Sequence, residues 1–106
     1  MKVYYVDVDG TICRCKSYGI DTDYSKAVPM KDRIRYINSL YDEGHTVVYY
    51  TARGQLSKRN WQAATEEQLE KWGARYTELR LDKPFFDFII DDRAINSEDF
   101  FLASLK

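Results

Sequence analysis

The sequence is poor in the residues that hold small extracellular domains together and in the runs that cross membranes. Of its 106 residues only two are cysteine, one is histidine and two are proline. Cys13 and Cys15 stand one residue apart, a spacing that strains a mutual disulfide, so both are predicted to be reduced thiols. No apolar run approaches the roughly 20 residues that a membrane span needs, and no basic-then-apolar leader opens the chain. These absences predict a cytoplasmic protein with no membrane partner.

An excess of charge of one sign is also missing. Sixteen Lys and Arg face seventeen Asp and Glu, a formal charge of −1, which disfavours a polyanionic partner such as nucleic acid. Hydrophobic residues make up 44% and aromatic residues 15%, which is enough for a folded core. The length suits one domain and leaves no room for a second. We therefore expect a single domain over residues 1–106.

Patterns typical of strands and of helices alternate along the chain. The predicted strands are 3–8, 46–50, 74–81 and 86–90, and the predicted helices begin after Pro29, at Ser57 and at Ser97. The second helix is expected to break at Thr65, and residues 11–29 are expected to form a long loop. Strands that alternate with helices predict an α/β fold with a parallel sheet covered on both faces.

Acidic and polar residues follow three of the predicted strands. They are Asp7 and Asp9 after the first strand, Thr51 and Arg53 after the second, and Asp91 and Asp92 after the last. The carboxyl ends of parallel strands meet at one edge of the sheet, where ligands bind. Four carboxylates at one edge are costly without a cation, and Mg²⁺ takes oxygen ligands and bridges to phosphate. The pattern predicts a magnesium and phosphate site.

Each of these residues also has a structural explanation. The run 7–11 (DVDGT) is typical of a turn whose aspartates cap backbone amides. Thr51 alone is typical of a packed β-branched residue, and Lys83 alone of a surface lysine. Arg53 is expected either to contact a substrate or to pair with a nearby carboxylate.

The order of the motifs resembles the haloacid dehalogenase superfamily of phosphotransferases. The matching segments are VYYVDVDGT, VVYYT ending at Thr51, Lys83, and IIDD ending at Asp91-Asp92. NSLYDEGHTVVYYTARG and KPFFDFIIDDRAIN also resemble small phosphatase-like domains found with capsule and surface-sugar biosynthesis, and the TAR segment loosely resembles phage polynucleotide kinase-phosphatases. The resemblance implies a three-layer Rossmann-like fold, mostly parallel, with strand order 3-2-1-4 and no cap domain.

The resemblance also implies roles for individual residues. Asp7 is the expected nucleophile, and Asp9 is the expected general acid and base. Lys83 is expected to neutralise the negative charges of Asp7 and of the phosphate. The expected ligands of Mg²⁺ are Asp7, the backbone carbonyl of Asp9, and Asp92, with Asp91 binding the ion either directly or indirectly. The expected phosphate-binding residues are Gly10, Thr11, Thr51, Ala52, Arg53 and Lys83.

The implied function is a Mg²⁺-dependent phosphomonoester hydrolase that works through an aspartyl-phosphate. Its expected substrate is a small phosphorylated metabolite, with a sugar phosphate as the first choice. Two alternatives stay open: a nucleic-acid 3′-end phosphatase that uses Arg53, Lys58 or Arg59, and a non-enzymatic phospho-acceptor domain. Without a cap domain we expect an open site, with the loop 11–29 as a specificity flap and a second copy or a partner supplying any lid.

Overall fold

Five short strands and three helices make up residues 1–105, the part of the chain that the computed structural model describes. In chain order they are β1 (Val3–Val6), β2 (Cys13–Arg14), β3 (Val28–Pro29), α1 (Lys31–Asp42), β4 (Thr46–Tyr50), α2 (Gln62–Lys71), β5 (Glu78–Arg80) and α3 (Ser97–Ser104). A 3-10 turn at Tyr24–Lys26 precedes β3.

Strands β1, β4 and β5 form a parallel sheet in the order β1-β4-β5. Val6 lies opposite Tyr49, and Tyr50 lies opposite Arg80, so the three strands end close together at one edge. A separate antiparallel pair joins β2 to β3, with Cys13 opposite Pro29. Parallel neighbours need a long crossover connection, and α1 lies in the connection from β1 to β4, as α2 lies in that from β4 to β5.

The core lies between the sheet and the apolar face of α1. Ile34, Ile37 and Leu40 recur three residues apart on α1, and all three are buried. They belong to one cluster with the interior residues of the sheet, its following turn and the two later helices. The other buried members are Val6, Val8, Ile12, Cys13, Val47, Tyr49, Leu69 and Phe101.

The predicted four-stranded Rossmann-like sheet with strand order 3-2-1-4 is wrong. The parallel sheet has three strands in residues 1–105, and the remaining two strands form the antiparallel pair. Residues 86–90, predicted as a strong strand, form neither strand nor helix, and every residue from 84 to 96 is exposed. A strand gains its stability from a paired neighbour and a buried face, and this segment has neither.

The remaining elements differ from the prediction mainly in their bounds. The first helix and the 46–50 strand occur as predicted, and Gly44 follows α1 in the left-handed region with φ 98°. Helix α2 starts at Gln62 and runs through Thr65 without a break. The predicted loop 11–29 contains β2, the 3-10 turn and β3. No helix within residues 1–105 has the length and apolar character that a membrane span requires.

Candidate active site

Two aspartates and two basic side chains meet where β1 and β4 end. Asp7 follows β1 directly, and Thr51 follows β4 directly. Because β1 and β4 are parallel neighbours, the two residues leave the sheet at the same edge. The backbone N–H of Lys83 donates to the carbonyl of Thr51 at 3.3 Å, which ties the chain after β5 to this edge. The sheet therefore brings Asp7, Thr51 and Lys83 to the same edge.

The Asp7 carboxylate has one charged and one neutral partner. Lys83 Nζ lies 3.3 Å from its Oδ1, and Thr11 Oγ1 donates to its Oδ2 at 3.3 Å. Burial raises the pKa of the Asp7 carboxyl above its usual value, while the Lys83 ammonium acts to lower it. The Asp7 side chain is still 35% exposed. It is therefore a reachable carboxylate with a cation at its side.

The turn after β1 places Thr11 beside Asp7. Gly10 has φ 82°, a conformation that disfavours any residue with a Cβ, and its N–H donates to the carbonyl of Cys13 at 2.8 Å. The N–H groups of Thr11 and Ile12 both donate to the carbonyl of Val8. This tight reversal directs the Thr11 hydroxyl back to Asp7, and Thr11 itself is buried.

Asp9 forms a two-point ion pair with Arg53. The Arg53 Nε donates to Asp9 Oδ2 at 2.9 Å, and its Nη2 donates to Oδ1 at 2.8 Å. The Arg53 side chain is only 1% exposed, and that of Asp9 is 13% exposed. Burial acts to lower the pKa of the Arg53 guanidinium, but the hydrogen bonds and charge of Asp9 outweigh it, so the pKa is raised. Of the two roles expected for Arg53, the structure shows the carboxylate pair.

Helix α2 holds the other side of the Arg53 guanidinium. Nη1 donates to Thr65 Oγ1 at 3.1 Å and to Gln68 Oε1 at 2.7 Å, and the ring of Tyr24 lies 4.7 Å from Cζ. Gln68 Nε2 in turn donates to the carbonyl of Tyr24 at 2.8 Å. The sequence predicts a helix break at Thr65, and this role of Thr65 and Gln68 is missed. Their spacing of three residues on one helix face is the signal that points to a shared partner.

Thr51 and Ala52 take part in the turn after β4. Thr51 is 1% exposed, its N–H donates to the carbonyl of Arg80 at 2.9 Å, and its Oγ1 accepts from the Arg53 N–H at 3.2 Å. Ala52 is half-buried beside it. In this conformation the Thr51 hydroxyl stabilises the turn, which is the structural explanation that its sequence context also allows.

Asp91 and Asp92 do not join the other two aspartates. Both are exposed, and Asp91 Oδ1 accepts the N–H of Arg93 at 2.7 Å in a local turn. Among residues 1–105 there is no group of three or more His, Cys, Asp or Glu side chains arranged to hold a metal ion. The donor set in this conformation therefore does not fit Mg²⁺, which prefers near-octahedral oxygen ligands.

The two thiols lie next to Asp9. Cys13 Sγ is 3.4 Å and Cys15 Sγ is 3.8 Å from Asp9 Oδ1, and both cysteines are free. Burial, followed by the charge of Asp9, raises the pKa of both thiols. The thiols are therefore un-ionised neighbours of the Asp9 carboxylate.

Comparison with known proteins adds one similar structure. A crystal structure of a target protein from Vibrio cholerae matches 94% of this chain and 87% of its own, with a TM-score of 0.81 and 28% identity. Neither a protein-family model nor a curated protein matches the chain. The arrangement of nearly the whole chain is thus shared with a solved protein, and the activity has to be argued from the side chains.

Proposed function

We propose that this protein hydrolyses phosphomonoesters, with Asp7 as the nucleophile that takes the phosphoryl group. The observation that carries the proposal is the pair of Asp7 and Lys83 at the carboxyl ends of the parallel strands. The carboxylate is partly exposed, and the ammonium 3.3 Å away attracts an incoming phosphate and offsets the repulsion between two anions. Positioning and charge stabilisation are the main requirements of phosphoryl transfer.

The first step forms a bond between an Asp7 oxygen and phosphorus as the ester P–O bond breaks. Lys83 Nζ stabilises the equatorial oxygens while Thr11 Oγ1 orients the carboxylate through its hydrogen bond to Oδ2. The leaving oxygen takes its electron pair from the broken bond and a proton from the general acid. Asp9, two residues along the same turn, is the group proposed for that proton, and to deliver it a protonated Asp9 has to release one of its two hydrogen bonds from Arg53.

The second step releases phosphate from Asp7. Water attacks phosphorus, Asp9 accepts its proton, and the acyl–phosphate bond breaks to restore the Asp7 carboxylate. Arg53 fixes the orientation of the Asp9 carboxylate by binding both of its oxygens.

Magnesium remains a prediction from the family resemblance, and neither of the two proposed reaction steps depends on it. It requires Asp91 or Asp92 to approach Asp7, and in the conformation described they do not form a common group. The proposed substrate is a small phosphorylated metabolite, and a sugar phosphate remains the first choice.

The test is phosphate release from p-nitrophenyl phosphate and a panel of sugar phosphates, in millimolar Mg²⁺ and separately in EDTA. Asp7→Asn is expected to lower kcat/KM on the order of 10³-fold or more. Asp42→Asn is the matched control, because Asp42 lies at the end of α1 in an exposed pair with Arg75. Unchanged turnover in Asp7→Asn would overturn the mechanism, and activity restricted to Mg²⁺ would support the predicted cofactor.

One observation favours the phospho-acceptor alternative. Both Asp9 oxygens are bound to a buried guanidinium, so Asp9 is less free to move a proton than an unpaired carboxylate. In that case Asp7 takes the phosphoryl group and keeps it. Acetyl phosphate labelling followed by acid quenching separates the two functions: an adduct that lasts for hours indicates an acceptor, and one that turns over within seconds to minutes indicates an enzyme.

A further inference from the structure

An arginine lies on the buried face of α1, which is otherwise mostly apolar. Arg33 is 8% exposed, and its neighbours Ile34 and Ile37 on the helix are buried as well. A guanidinium that is taken out of water is costly unless its N–H groups find partners. The partners of Arg33 therefore indicate what the residue does.

The Arg33 guanidinium binds two different elements at once. Its Nη1 donates to the backbone carbonyl of Thr11 at 3.1 Å, and its Nη2 donates to Glu98 Oε2 on α3. Its Cζ also lies 4.6 Å from the centre of the Phe101 ring, on the same helix as Glu98. One planar group thus joins the turn after β1 to helix α3.

The carbonyl of Thr11 is held differently from those around it. Backbone N–H groups bind the carbonyls of Val8, Ile12 and Cys13. The carbonyl of Thr11 accepts from the Arg33 side chain instead. The orientation of this peptide group therefore depends on a side chain from another element, which a single substitution can change.

Thr11 transmits this restraint to Asp7. Its hydroxyl donates to Asp7 Oδ2 at 3.3 Å, on the other oxygen from the one that Lys83 Nζ approaches. Thr11 is itself buried, so its side chain has little room to turn independently of its backbone. A contact that fixes the Thr11 backbone consequently fixes the direction of its hydroxyl.

We propose that Arg33 is a positioning residue, which holds the Asp7 carboxylate in its attacking orientation by fixing Thr11. The consequence for the reaction rests on the proposed role of Asp7 as nucleophile. The restraint on Thr11 depends only on the contacts of Arg33.

A purely structural role would be to anchor α3 through Glu98. Arg14 provides the matched control for that role, because its Nη2 donates to the other oxygen of Glu98, Oε1, at 3.1 Å. Arg14→Lys and Arg33→Lys therefore make the same change opposite the same carboxylate. Both variants keep a cation beside Glu98, which preserves the fold, but a single ammonium nitrogen cannot take the places of both Nη1 and Nη2 of Arg33.

Nuclear magnetic resonance measures the restraint on Thr11 without any catalysis. The three-bond couplings of Thr11 Cγ2 to the backbone nitrogen and to the carbonyl carbon report the χ1 rotamer. One fixed rotamer is expected in the natural protein and in Arg14→Lys, and rotamer averaging is expected in Arg33→Lys. A Thr11 side chain that stays fixed in Arg33→Lys, or that already averages in the natural protein, would overturn the proposal.

Steady-state kinetics with p-nitrophenyl phosphate measures the consequence for turnover. Arg33→Lys is expected to lower kcat about 10-fold and to leave KM within about twofold, because a misplaced nucleophile slows the chemical step. Arg14→Lys should retain the natural kcat. Thr11→Val removes the hydroxyl, so adding Arg33→Lys to it should lower kcat no further. Losses that multiply in the double variant would show that Arg33 acts by another route and would contradict the proposal.

The two measurements separate this proposal from the proposed function. If no ester releases phosphate and Thr11 loses its rotamer in Arg33→Lys but not in Arg14→Lys, the phosphomonoesterase is refuted and the restraint by Arg33 is supported. If Asp7→Asn abolishes phosphate release while Thr11 keeps its rotamer in Arg33→Lys, the enzyme is supported and the role of Arg33 is refuted.

Discussion

Two pairs of aspartates in this chain lie in contrasting surroundings. One pair lies at the ends of β1 and β4, and the other lies in the segment 84–96. Both pairs come directly after a β-branched or aromatic run. Asp7 and Asp9 each have a cationic partner and lie within hydrogen-bonding networks, whereas Asp91 and Asp92 are exposed. The same local motif therefore becomes a built site in one place and an exposed turn in the other.

The cause of the difference is the presence of a neighbouring strand. The run before Asp7 pairs with β4 along its length, and Val6 and Val8 join the core. The run before Asp91 has no partner strand, and its apolar side chains are exposed, from 36% at Phe86 to 98% at Ile90. Pairing and burial, rather than the local residue types, decide where the chemistry is assembled.

The largest effect of this difference is expected at the Asp9–Arg53 pair. Arg53→Met leaves the Asp9 carboxylate, 13% exposed, without its partner. Removal of one member of a buried ion pair costs about 3–5 kcal/mol of folding free energy. Urea denaturation measures the loss, and the double variant Asp9→Asn/Arg53→Met should lose less than the sum of the two single variants.

The control for that cycle is Asp42→Asn, which breaks the exposed Arg75–Asp42 pair and is expected to change stability little. Equal losses for Asp42→Asn and Asp9→Asn would show that the buried environment of Asp9 does not matter.

Two phenylalanines allow the buried core and the exposed segment 84–96 to be compared through apolar side chains. Phe101 on α3 is 3% exposed and contacts the core, whereas Phe88 in the 84–96 segment is 86% exposed. Phe101→Ala is expected to cost about 3 kcal/mol, and Phe88→Ala to stay within about 0.5 kcal/mol. Thermal denaturation of both variants gives the comparison. A large loss for Phe88→Ala would mean that the segment packs in solution, and the distinction between the two regions would fail.

The local pattern predicts helix α1, strand β4 and the start of α3, but the predicted four-stranded sheet is wrong because residues 86–90 form no strand. Residues 46–50 and residues 86–90 look alike in sequence, and only the first run is flanked on both sides by other strands. Hydrophobic periodicity and β-propensity indicate which residues could form a strand if a partner strand lay beside them. They carry no information on whether a partner is present.

The candidate site shows the same limit. The predicted sheet topology places Asp7, Asp9, Thr51 and Arg53 at one edge together with Asp91 and Asp92, and the structure leaves the last two exposed in the segment 84–96. Lys83 entered the prediction only through the family resemblance, and in the structure it lies 3.3 Å from Asp7. The partner of Arg53 could not be chosen from the sequence, because Asp9 lies 44 residues away and other carboxylates were equally available. Contacts of that range are set by the packing of whole elements, here the pairing of β1 with β4, which brings the turns after the two strands together.

The smallest effect, and the one that separates function from stability, is expected at Asp7. Burial raises the pKa of its carboxyl above the ordinary 3.8, so the folded state binds a proton more tightly than the unfolded chain. The stability that this proton contributes is present below pH 3.8 and is lost as the pH rises through the folded-state pKa. At neutral pH the buried charge therefore opposes folding.

Asp7→Asn is consequently expected to be inactive and yet slightly more stable than the natural protein at pH 7. The gain is expected to stay below about 1 kcal/mol, because Lys83 offsets part of the burial and solvent reaches 35% of the side chain. Denaturation midpoints measured from pH 3 to pH 8 should show the gain appearing as the pH rises and vanishing in acid. Asp91→Asn, at an exposed position, reports the effect of charge removal alone. A stability loss in Asp7→Asn at neutral pH would mean that the pairing with Lys83 outweighs the burial of Asp7, and that the carboxylate stabilises the fold as well as the proposed chemistry.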